Sequence, residues 1–313
     1  MRTIIRRYVG VLAIVSAVVC WTPVHAAWQY TVIDFPGAIE TSVFGMNDSG
    51  DAVGSALEVL SPTQAHPFAF VYDIRKGTYT KLARAFGEEF GTFGLGINNR
   101  GVVVGSRLAP PDNADRAVVR SKQGVYTEFV HPGSFSTTAR AINDHGLISG
   151  VADDDGLLVG FLYDPATGRF TDFLPSPDTT AHSVNNRGDV VGSVFLDAAV
   201  ACASCPDGYY GFLRTAQGTF SFFRVNGADT RARGLNDAGV VAGQVDTDTG
   251  IKSFVTRLRG LPYEAITIAD AALLAFPGQS FTIAEGISNK GDVVGIYLDD
   301  TGRHGFVARE SSQ

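Results

Sequence analysis

The chain has 313 residues, a formal net charge of −7 and 45% hydrophobic residues, so it is long enough to bury a large core. Its 36 glycines and 13 prolines indicate many turns rather than long helices. The acidic charge repels phosphates, and no basic stripe with interleaved aromatic residues occurs. Nucleic acid is therefore disfavoured as a natural partner.

Residues 1–26 have the features of a secretory signal peptide. Arginines at positions 2, 6 and 7 precede an uncharged, mostly apolar run from Tyr8 to Trp21, and Ala26 lies at a suitable cleavage site. The run has 14 residues, whereas a membrane-spanning helix needs about 20. Lipid attachment at Cys20 and twin-arginine export are weaker alternatives. We predict a secreted mature chain, periplasmic or extracellular, with no membrane span and a net charge of −10.

One motif recurs six times through the mature chain. It reads apolar-Asn-Asp/Asn-x-Gly and continues as x-apolar-apolar-Gly. The first glycines are separated by 51, 45, 42, 51 and 52 residues, which is typical of a repeat architecture. The copies begin at Met46, Ile97, Ile142, Val184, Leu235 and Ile287, and their second glycines are Gly54, Gly105, Gly150, Gly192, Gly243 and Gly295.

Two further strand patterns recur after copies of the motif. A small residue precedes a Phe in five repeats, at Phe70, Phe161, Phe212, Phe254 and Phe306, and Ala117-Val118 is the degenerate copy. A Gly-x-aromatic-Thr/Ser segment begins at Gly77, Gly124, Gly168 and Gly218. With the strand that leads into each Asn, every repeat offers four short antiparallel strands in about 48 residues, the size of one propeller blade.

The two ends of the chain share one repeat. The sixth copy ends at the strand that contains Phe306 and lacks its aromatic-Thr strand, whereas residues 28–33 supply such a strand before the first Asn motif. Pairing the two ends removes an exposed strand edge, which a ring requires and a linear solenoid does not. We therefore predict an all-β fold, a six-bladed β-propeller over residues 27–313 with four-stranded antiparallel blades. Another closed or stacked β arrangement is the alternative.

The Asn-Asp/Asn-x-Gly segments admit two interpretations. Asn and Asp often bind metals or sugars, but Asn, Asp and Gly also tolerate the positive φ angles of tight turns. Asn and Asp side chains in turns accept hydrogen bonds from nearby backbone N–H groups. Because the segment recurs once in every repeat, we expect a shared structural role as a hairpin turn.

These motifs resemble the HAF family of extracellular bacterial repeat proteins. Units of that family carry an Ile-Asn-Asp-x-Gly-x-Val-Val-Gly run followed by a His/Ala/Gly-Phe-Leu strand, and the resemblance covers residues 28–310. Three features depart from the family pattern: Ser288 replaces the usual Asn, Ala117-Val118 lacks the Phe, and only His304 keeps the family's His in register. The resemblance implies export and a propeller-like repeat, and it implies no activity.

One position in the strand before each Asn motif varies widely between two small residues. If this strand is innermost, its side chains would reach the mouth of the central channel and gather charged groups beside an apolar sector. Arg140, His182, Arg233 and Glu285 are the predicted site for an anionic or sugar-like ligand, and His182 with Glu285 could form an acid/base pair. Alternatively, these side chains lie between blades, with an arginine paired to Glu285. The six residues are Phe44, Leu95, Arg140, His182, Arg233 and Glu285.

Cys202 and Cys205 are the two cysteines of the mature chain, and they form a Cys-x-x-Cys segment in a long connection of the fourth repeat. In an exported protein we expect them to form a local disulfide. A redox or metal role is the alternative, although a lone Cys-x-x-Cys is a poor zinc signal.

Three aspartate-rich segments resemble fragments of calcium-binding loops. Residues 153–156, 246–250 and 299–302 each lack the downstream glutamate of an EF-hand. All three lie between the Gly-ended strand and the Phe strand, so we expect hairpin turns, with Ca²⁺ as a weak alternative. The histidines show no metal-ligand spacing. The sequence therefore predicts no metal site and no other cofactor.

Three functions are consistent with these observations. The leading one is a secreted propeller scaffold that binds an extracellular ligand or protein partner and has no recognisable catalytic motif. The second is an extracellular hydrolase or lyase that acts on glycans through polar residues at the central mouth. The third is a purely structural component of a surface or matrix.

Overall fold

The computed structural model describes residues 28–61, 64–83, 91–173, 176, 178–197, 206–258, 266–269 and 271–311. Within these residues the protein is built of strands, turns and loops, and no helix is long and apolar enough to cross a membrane. The predicted signal peptide lies outside the described residues.

The described strands form six sheets, and each sheet is one blade of a β-propeller. The N-terminal strand is β1 (Trp28–Ile33). Blade 1 contains β2 (Glu40–Met46), β3 (Asp51–Ser61), β4 (Gln64–Asp73) and β5 (Thr78–Lys81). Blade 2 contains β6 (Thr92–Ile97), β7 (Val103–Ala109), β8 (Ala114–Arg120) and β9 (Tyr126–Phe129). Blade 3 contains β10 (Ser136–Ile142), β11 (Ile148–Asp154), β12 (Leu157–Asp164) and β13 (Arg169–Phe173).

The second half of the chain forms the other three blades. Blade 4 contains β14 (Thr179–Val184), β15 (Val190–Leu196), β16 (Gly208–Arg214) and β17 (Phe220–Val225), with β21 (Ile266–Ile268) at its edge. Blade 5 contains β18 (Thr230–Leu235), β19 (Val240–Thr247), β20 (Gly250–Arg257) and β22 (Ala272–Leu274). Blade 6 contains β23 (Thr282–Ile287), β24 (Val293–Asp299) and β25 (Gly302–Glu310), and its fourth strand is β1.

The two ends of the described chain close the ring. Strand β1 pairs antiparallel with β25, in register from Trp28 opposite Glu310 to Ile33 opposite Gly305. The N-terminal strand therefore supplies the outer strand that the sixth repeat lacks, and the predicted closure is confirmed.

His304 adds a polar contact at this closure. Its Nδ1 lies 2.9 Å from Oδ2 of Asp34, just after β1, and its Nε2 lies 3.1 Å from Oδ1 of Asp299, at the end of β24. Burial opposes the charged imidazole, but the hydrogen bonds and negative charges of Asp34 and Asp299 outweigh it and raise the pKa of His304. The family-like histidine thus joins the two ends of the propeller.

The first strand of each blade is the innermost one, as the sequence predicted. Strands β2, β6, β10, β14, β18 and β23 each contact the first strands of both neighbouring blades and together surround the axis. These strands need small residues because they lie so close to one another. A Cβ atom on Gly96, for example, would lie 2.7 Å from the Cα atom of Ala141 in the next blade.

Each innermost strand contains a β-bulge. In blade 3, for example, Ala139 pairs with Gly150 and Ala141 pairs with Ser149, so the intervening Arg140 has no partner in the ladder. A bulge bends its strand and redirects a side chain. The six bulged residues are the six variable residues of the sequence analysis, namely Phe44, Leu95, Arg140, His182, Arg233 and Glu285.

The second glycine of the repeat motif is explained by the bulge. Gly192 pairs with Ala181, the residue before the bulged His182. A Cβ atom at Gly192 would collide with the carbonyl oxygen of Thr180 and would lie 2.6 Å from the ring of Phe212. The equivalent glycines of the other five blades also face a carbonyl oxygen of the innermost strand.

The hydrophobic core is divided among the interfaces between neighbouring blades. Phe70 of blade 1 is fully buried in one cluster with Val294 and Val307 of blade 6. Phe306 of blade 6 is fully buried in another cluster with Ala242 and Leu274 of blade 5. The repeated Phe therefore fills the space between blades, where its burial contributes about 2–3 kcal/mol.

Blades 4 and 5 depart from the predicted pattern of four antiparallel strands. The fifth repeat has no Gly-x-aromatic-Thr segment, and the chain after β20 does not return by a tight hairpin. Strand β21 instead pairs parallel with β17 of blade 4, and β22 then pairs with β20 as the outer strand of blade 5. The long connection gives the chain the reach to extend a neighbouring sheet before it completes its own.

A buried threonine near the start of each innermost strand is a repeated feature that the sequence analysis missed. In four blades its Oγ1 accepts a hydrogen bond from a backbone N–H five or six residues earlier, which fixes the connection from the previous blade. The six residues are Thr41, Thr92, Thr137, Thr179, Thr230 and Thr282.

The bulge predicts a large cost for a methyl group at the second glycine. Replacing Gly192 by Ala should lower the free energy of unfolding by about 3 kcal/mol, because neither the carbonyl of Thr180 nor the ring of Phe212 can move away easily. Urea unfolding monitored by tryptophan fluorescence or circular dichroism measures the change.

Gly168→Ala is the matched control. Gly168 has a φ of +68° with nothing within 4 Å of its would-be Cβ atom, so its replacement should cost about 1 kcal/mol through backbone strain alone. Equal losses in the two variants would contradict the role assigned to Gly192.

Candidate functional site

The propeller has two different faces. The turn face carries the Asn-x-x-Gly turns that join the first and second strands, at residues 47–50, 98–101, 143–146, 185–188, 236–239 and 288–291. The loop face lies at the other end of the axis and carries the hairpins between second and third strands together with the connections between blades. The bulged residues lie on the channel between these faces.

The four predicted site residues converge on the axis. Arg140, His182, Arg233 and Glu285 line one small cavity together with Phe44 and Leu95, one side chain from each blade. The structure therefore brings the charged residues together beside an apolar sector, and it does not disperse them between the blades. Their spacing of one per repeat was the signal that located them.

Arg233 and Glu285 form an ion pair inside the channel. Nη1 of Arg233 lies 3.1 Å from Oε2 of Glu285, and both side chains are largely buried. Nη2 and Nε of Arg233 also donate hydrogen bonds to Oε1 of Gln244, at 2.7 and 3.1 Å. The pairing of an arginine with Glu285 is thus present, and Gln244 is a partner that the sequence analysis did not identify.

Arg140 lacks the partners that Arg233 has. Its Nε is buried without a hydrogen-bond partner, and no ion pair joins its guanidinium to any residue in the described ranges. Burial lowers the pKa of Arg140, and the positive charge of Arg233 adds to this shift, whereas Glu285 and Asp115 oppose it from a distance. Arg140 therefore carries a positive charge that the channel wall compensates poorly.

His182 is neutral in this environment. Burial lowers its pKa well below the usual range, and the charges of Arg233, Arg140 and Arg231 add to the shift. Its Nε2 lies 3.3 Å from Oγ of Ser193. The histidine thus remains an uncharged imidazole at neutral pH and contributes hydrogen-bonding capacity without charge.

The cavities along the axis are small. The cavity lined by the six bulged side chains has a volume of about 20 Å³, and a connected space of about 100 Å³ extends from these residues toward the turn face. A water molecule needs at least about 10–15 Å³ of such space. Pockets that enclose drug-sized ligands measure about 300–1,000 Å³. The channel therefore has room for water or a small ion rather than for a sugar ring.

The first Asn of each motif links its turn to the next blade. Nδ2 of Asn98 donates to the carbonyl oxygen of Asn143 at 3.1 Å, and its Oδ1 accepts from the backbone N–H of Val102 within its own turn. The same donation to the next blade occurs from Asn47, Asn143, Asn185 and Asn236. Ser288 stands at the sixth position, where its shorter side chain makes no such link within the described chain.

The second residue of each motif forms a closed ring of hydrogen bonds, which we call the Asn–Asp ring. Asp and Asn alternate around it. Each backbone N–H donates to the side-chain oxygen of the next member at 2.7–2.8 Å, and each Asn Nδ2 donates to the Asp on either side at 2.9–3.0 Å. The members are Asp48, Asn99, Asp144, Asn186, Asp237 and Asn289.

The alternation satisfies every carboxylate of the ring. Oδ1 of Asp144 accepts one backbone N–H, and its Oδ2 accepts the side-chain N–H groups of Asn99 and Asn186. Burial opposes ionisation of Asp144, but these hydrogen bonds outweigh it and lower the pKa of Asp144. The predicted turn is confirmed, since the first glycine of all six turns has a positive φ. The sequence analysis missed the links between blades.

The loop face carries exposed apolar side chains. Among the described residues, seven large apolar side chains on this face are 38–56% exposed, at the ends of hairpin strands or in the connections between blades. They are Ile39, Val59, Leu60, Val130, Phe135, Leu157 and Phe195. Loops on one face of a rigid scaffold often carry binding residues.

An aromatic and arginine cluster lies on the same face in blades 4 and 5. Phe195 packs edge-on against Tyr209, with ring centroids 5.4 Å apart. The guanidinium carbon of Arg231 lies 3.8 Å from the centroid of the Tyr209 ring, and the Tyr209 hydroxyl donates to Asp178 at 2.9 Å. Tyr, Phe and Arg are enriched at the centres of protein interfaces. The sequence analysis did not identify this cluster because its members come from different repeats.

Comparison with solved structures finds β-propellers at low sequence identity. The β-propeller domain of the Trilobed protease from Pyrococcus furiosus, described as having an open velcro topology, has a TM-score of 0.53 and 10% identity over 88% of this chain and 96% of that chain. Virginiamycin B lyase from Staphylococcus aureus has a TM-score of 0.50 and 12% identity over 90% of this chain and 100% of that chain. These similarities support the fold and leave the function open.

TolB from Acinetobacter baumannii is a third structural neighbour. It has a TM-score of 0.50 and 9% identity over 70% of this chain, which spans about half of that protein, 51% of its length. No protein-family model matches the sequence, and no curated protein sequence matches it. Membership of the HAF family therefore stays a prediction.

The other predicted features are the Cys-x-x-Cys segment and the three aspartate-rich segments. Cys202 and Cys205 lie outside the described residues. The three aspartate-rich segments form hairpin turns, with Asp154 opposite Leu157, Thr247 opposite Gly250 and Asp299 opposite Gly302. In the described part of the chain, no group of three or more His, Cys, Asp or Glu side chains is placed to hold a metal ion.

The Asn–Asp ring predicts an unusual pH dependence for Asn186→Asp. The variant loses the donations to Asp144 and Asp237 and places three carboxylates side by side, which should cost about 2 kcal/mol at neutral pH. The like charges raise the pKa of the new carboxyl in the folded state. A carboxyl with a raised folded-state pKa destabilises the fold while it is ionised and ceases to do so once it is protonated.

The stability gap between Asn186→Asp and the wild type should therefore narrow as the pH falls from about 7 toward about 4.5. Urea unfolding at several pH values measures this gap. Asn113→Asp is the control, because Asn113 lies in an exposed turn outside the ring and its variant should show a small, pH-independent change. A gap for Asn186→Asp that is absent or constant with pH would rule out the alternating ring.

Proposed function

We propose that this chain is an exported, non-catalytic β-propeller that binds a protein partner through its loop face. The observation that carries this proposal is the distribution of exposed apolar side chains, with seven large ones among the described residues of this face. On the turn face, by contrast, the polar side chains at the centre are already engaged with one another in the Asn–Asp ring.

The composition of the loop face supports a protein rather than a nucleic acid or a polyanion. The large apolar side chains exposed on it are Phe, Leu, Ile and Val, and Tyr209 with Arg231 adds an aromatic and guanidinium surface. The net charge of the chain is negative, which disfavours phosphate-rich ligands. Tyr and Arg are enriched among the residues that contribute most of the binding energy at interfaces between proteins.

The enzyme hypothesis receives less support. A hydrolase or lyase that acts on glycans at the central mouth needs space for at least one sugar ring beside its catalytic groups. The axial cavities of about 20 and 100 Å³ are too small, and the carboxylate of Glu285 is engaged with Arg233. The similarity to virginiamycin B lyase concerns the fold, so it does not bring an activity to this chain.

Export and family membership are part of the same proposal. The arginine-rich start and apolar run of residues 1–26 support cleavage after Ala26, and the repeated Asn-Asp/Asn-x-Gly motifs support a place among HAF-type extracellular repeats. A purely structural surface or matrix component remains the alternative that the following experiment separates from partner binding.

Site-specific photo-crosslinking tests the proposed binding face. A photoreactive amino acid is introduced at Ile39, Phe135 or Phe195 in the full-length protein, which is expressed in its native host and irradiated in intact cells. Because these side chains project from the loop face, we expect one discrete crosslinked product from all three positions. Mass spectrometry of that product identifies the partner.

Val125 supplies the matched control position. It is 63% exposed but lies in the β8–β9 hairpin, on the turn face. Crosslinks from the loop face and none from Val125 would support the proposal. Absence of any product from the loop face, or the same products from Val125, would contradict it and favour a purely structural role.

A further inference from the structure

The six bulged side chains that surround the axis, which we call the bulged ring, include one charge without a partner, that of Arg140. A guanidinium stays protonated in proteins, so Arg140, which is half-buried with a fully buried Nε, keeps its charge even though burial lowers its pKa. An uncompensated buried charge is strongly destabilising, and protein folds usually pair such a group with a counter-charge. The neighbouring carboxylates, Glu285 and Asp115, are the candidates for that counter-charge.

Glu285 does not serve as this partner. Its carboxylate binds Nη1 of Arg233 at 3.1 Å, and Arg233 is held in place by Gln244 on its other side. With Arg233 and Glu285 balanced against each other and His182 neutral, the ring has a net charge of about +1, carried by Arg140.

Asp115 is the other carboxylate that influences Arg140, and it acts from outside the ring. Its Oδ1 is buried without a hydrogen-bond partner, and no ion pair within 4 Å joins it to Arg140 in the described part of the chain. Burial raises the pKa of Asp115, which weakens it as a permanent counter-charge. Asp115 therefore offsets the charge of Arg140 only in part.

We propose that the cavity enclosed by the bulged ring binds a single small inorganic anion, of which chloride is the expected physiological one. The site combines the unpartnered Nε of Arg140, the second guanidinium of Arg233 and the uncharged His182, and Phe44 with Leu95 closes the opposite side. The binding site is independent of the protein partner on the loop face.

The size of the cavity sets the class of anion. The innermost space of about 20 Å³ holds about one water-sized particle, so a monatomic halide fits it. Sulfate, phosphate and carboxylated sugars exceed this innermost space and would have to extend into the connected space of about 100 Å³ toward the turn face. The innermost strands themselves are in close contact, since the place of a Cβ atom on Gly286 lies 2.9 Å from the carbonyl oxygen of Phe44. The anion would thus act as a structural ion that joins the blades at the axis.

Anomalous scattering from bromide tests the site in the unmodified protein. Crystals are grown in sodium bromide in place of chloride, and data are collected at the bromine absorption edge. We expect one peak on the channel axis in contact with the guanidinium of Arg140. If peaks occur on the surface and none occurs at the bulged ring, the proposal is overturned.

Thermal unfolding tests binding in solution at dilute salt. Sodium chloride is compared with sodium gluconate at equal ionic strength, so that screening is constant and only anion size differs. We expect chloride to raise the unfolding midpoint of the wild type by about 2–4 °C in a saturable manner. Equal midpoints in the two salts would show that any bromide in the crystal binds at crystal concentration only, which would contradict a structural role.

Three variants assign the effect to the bulged ring. Arg140→Met removes the charge and should abolish the chloride effect, while its stability in gluconate should equal or exceed that of the wild type because the unpaired charge is gone. Asp115→Asn removes the competing carboxylate and should tighten chloride binding several-fold. Arg309→Met, at a surface arginine that is 48% exposed, should leave the chloride effect unchanged. A chloride effect that persists in Arg140→Met would overturn the assignment.

Discussion

The close approach of six strands around one axis is the constraint on which the rest of the structure depends. Each innermost strand packs directly on the next, so the residue after each bulge must be small: glycine in four blades, with Ala141 and Ser183 in the other two. The bulge bends the strand, and a carbonyl oxygen of the innermost strand then occupies the place that a Cβ atom would take in the second strand. The second glycine of the motif is required for this reason. The buried Phe beside that glycine fills the interface between blades.

The same constraint gives the two ends of the channel different chemistry. On the turn face, the turns are close enough for Asn and Asp side chains to reach the next blade, and alternating donors and acceptors close a ring. At the level of the bulges, the six side chains line one cavity on the axis and differ in type from blade to blade. The loop face lies away from this crowded axis, and it carries the exposed apolar residues that we assign to partner binding.

Much of this architecture could be predicted from one sequence because the repeat made each position visible six times. The alternation of small and variable residues was sufficient to locate the innermost strand and the axial ring around Arg140. The bulge could not be predicted, since it depends on the pairing register. The Asn–Asp ring was also missed, because Asp48 and Asn99 are 51 residues apart and meet only when blades 1 and 2 pack against each other. The parallel pairing of β21 with β17 of blade 4 was also not predicted, because this part of the sequence has no repeat signal.

Hydrogen exchange of the ring amides tests most directly whether the Asn–Asp ring locks the blades together. The backbone N–H groups of the six ring residues lie in half-exposed or exposed turns, yet each donates to a carboxylate or amide oxygen of the next blade. We predict that they exchange together and as slowly as amides of the innermost strands. The amide of Lys76, which donates to Asp73 within its own hairpin, should exchange rapidly. If the ring amides exchange as fast as that of Lys76, the blades are not locked in this way.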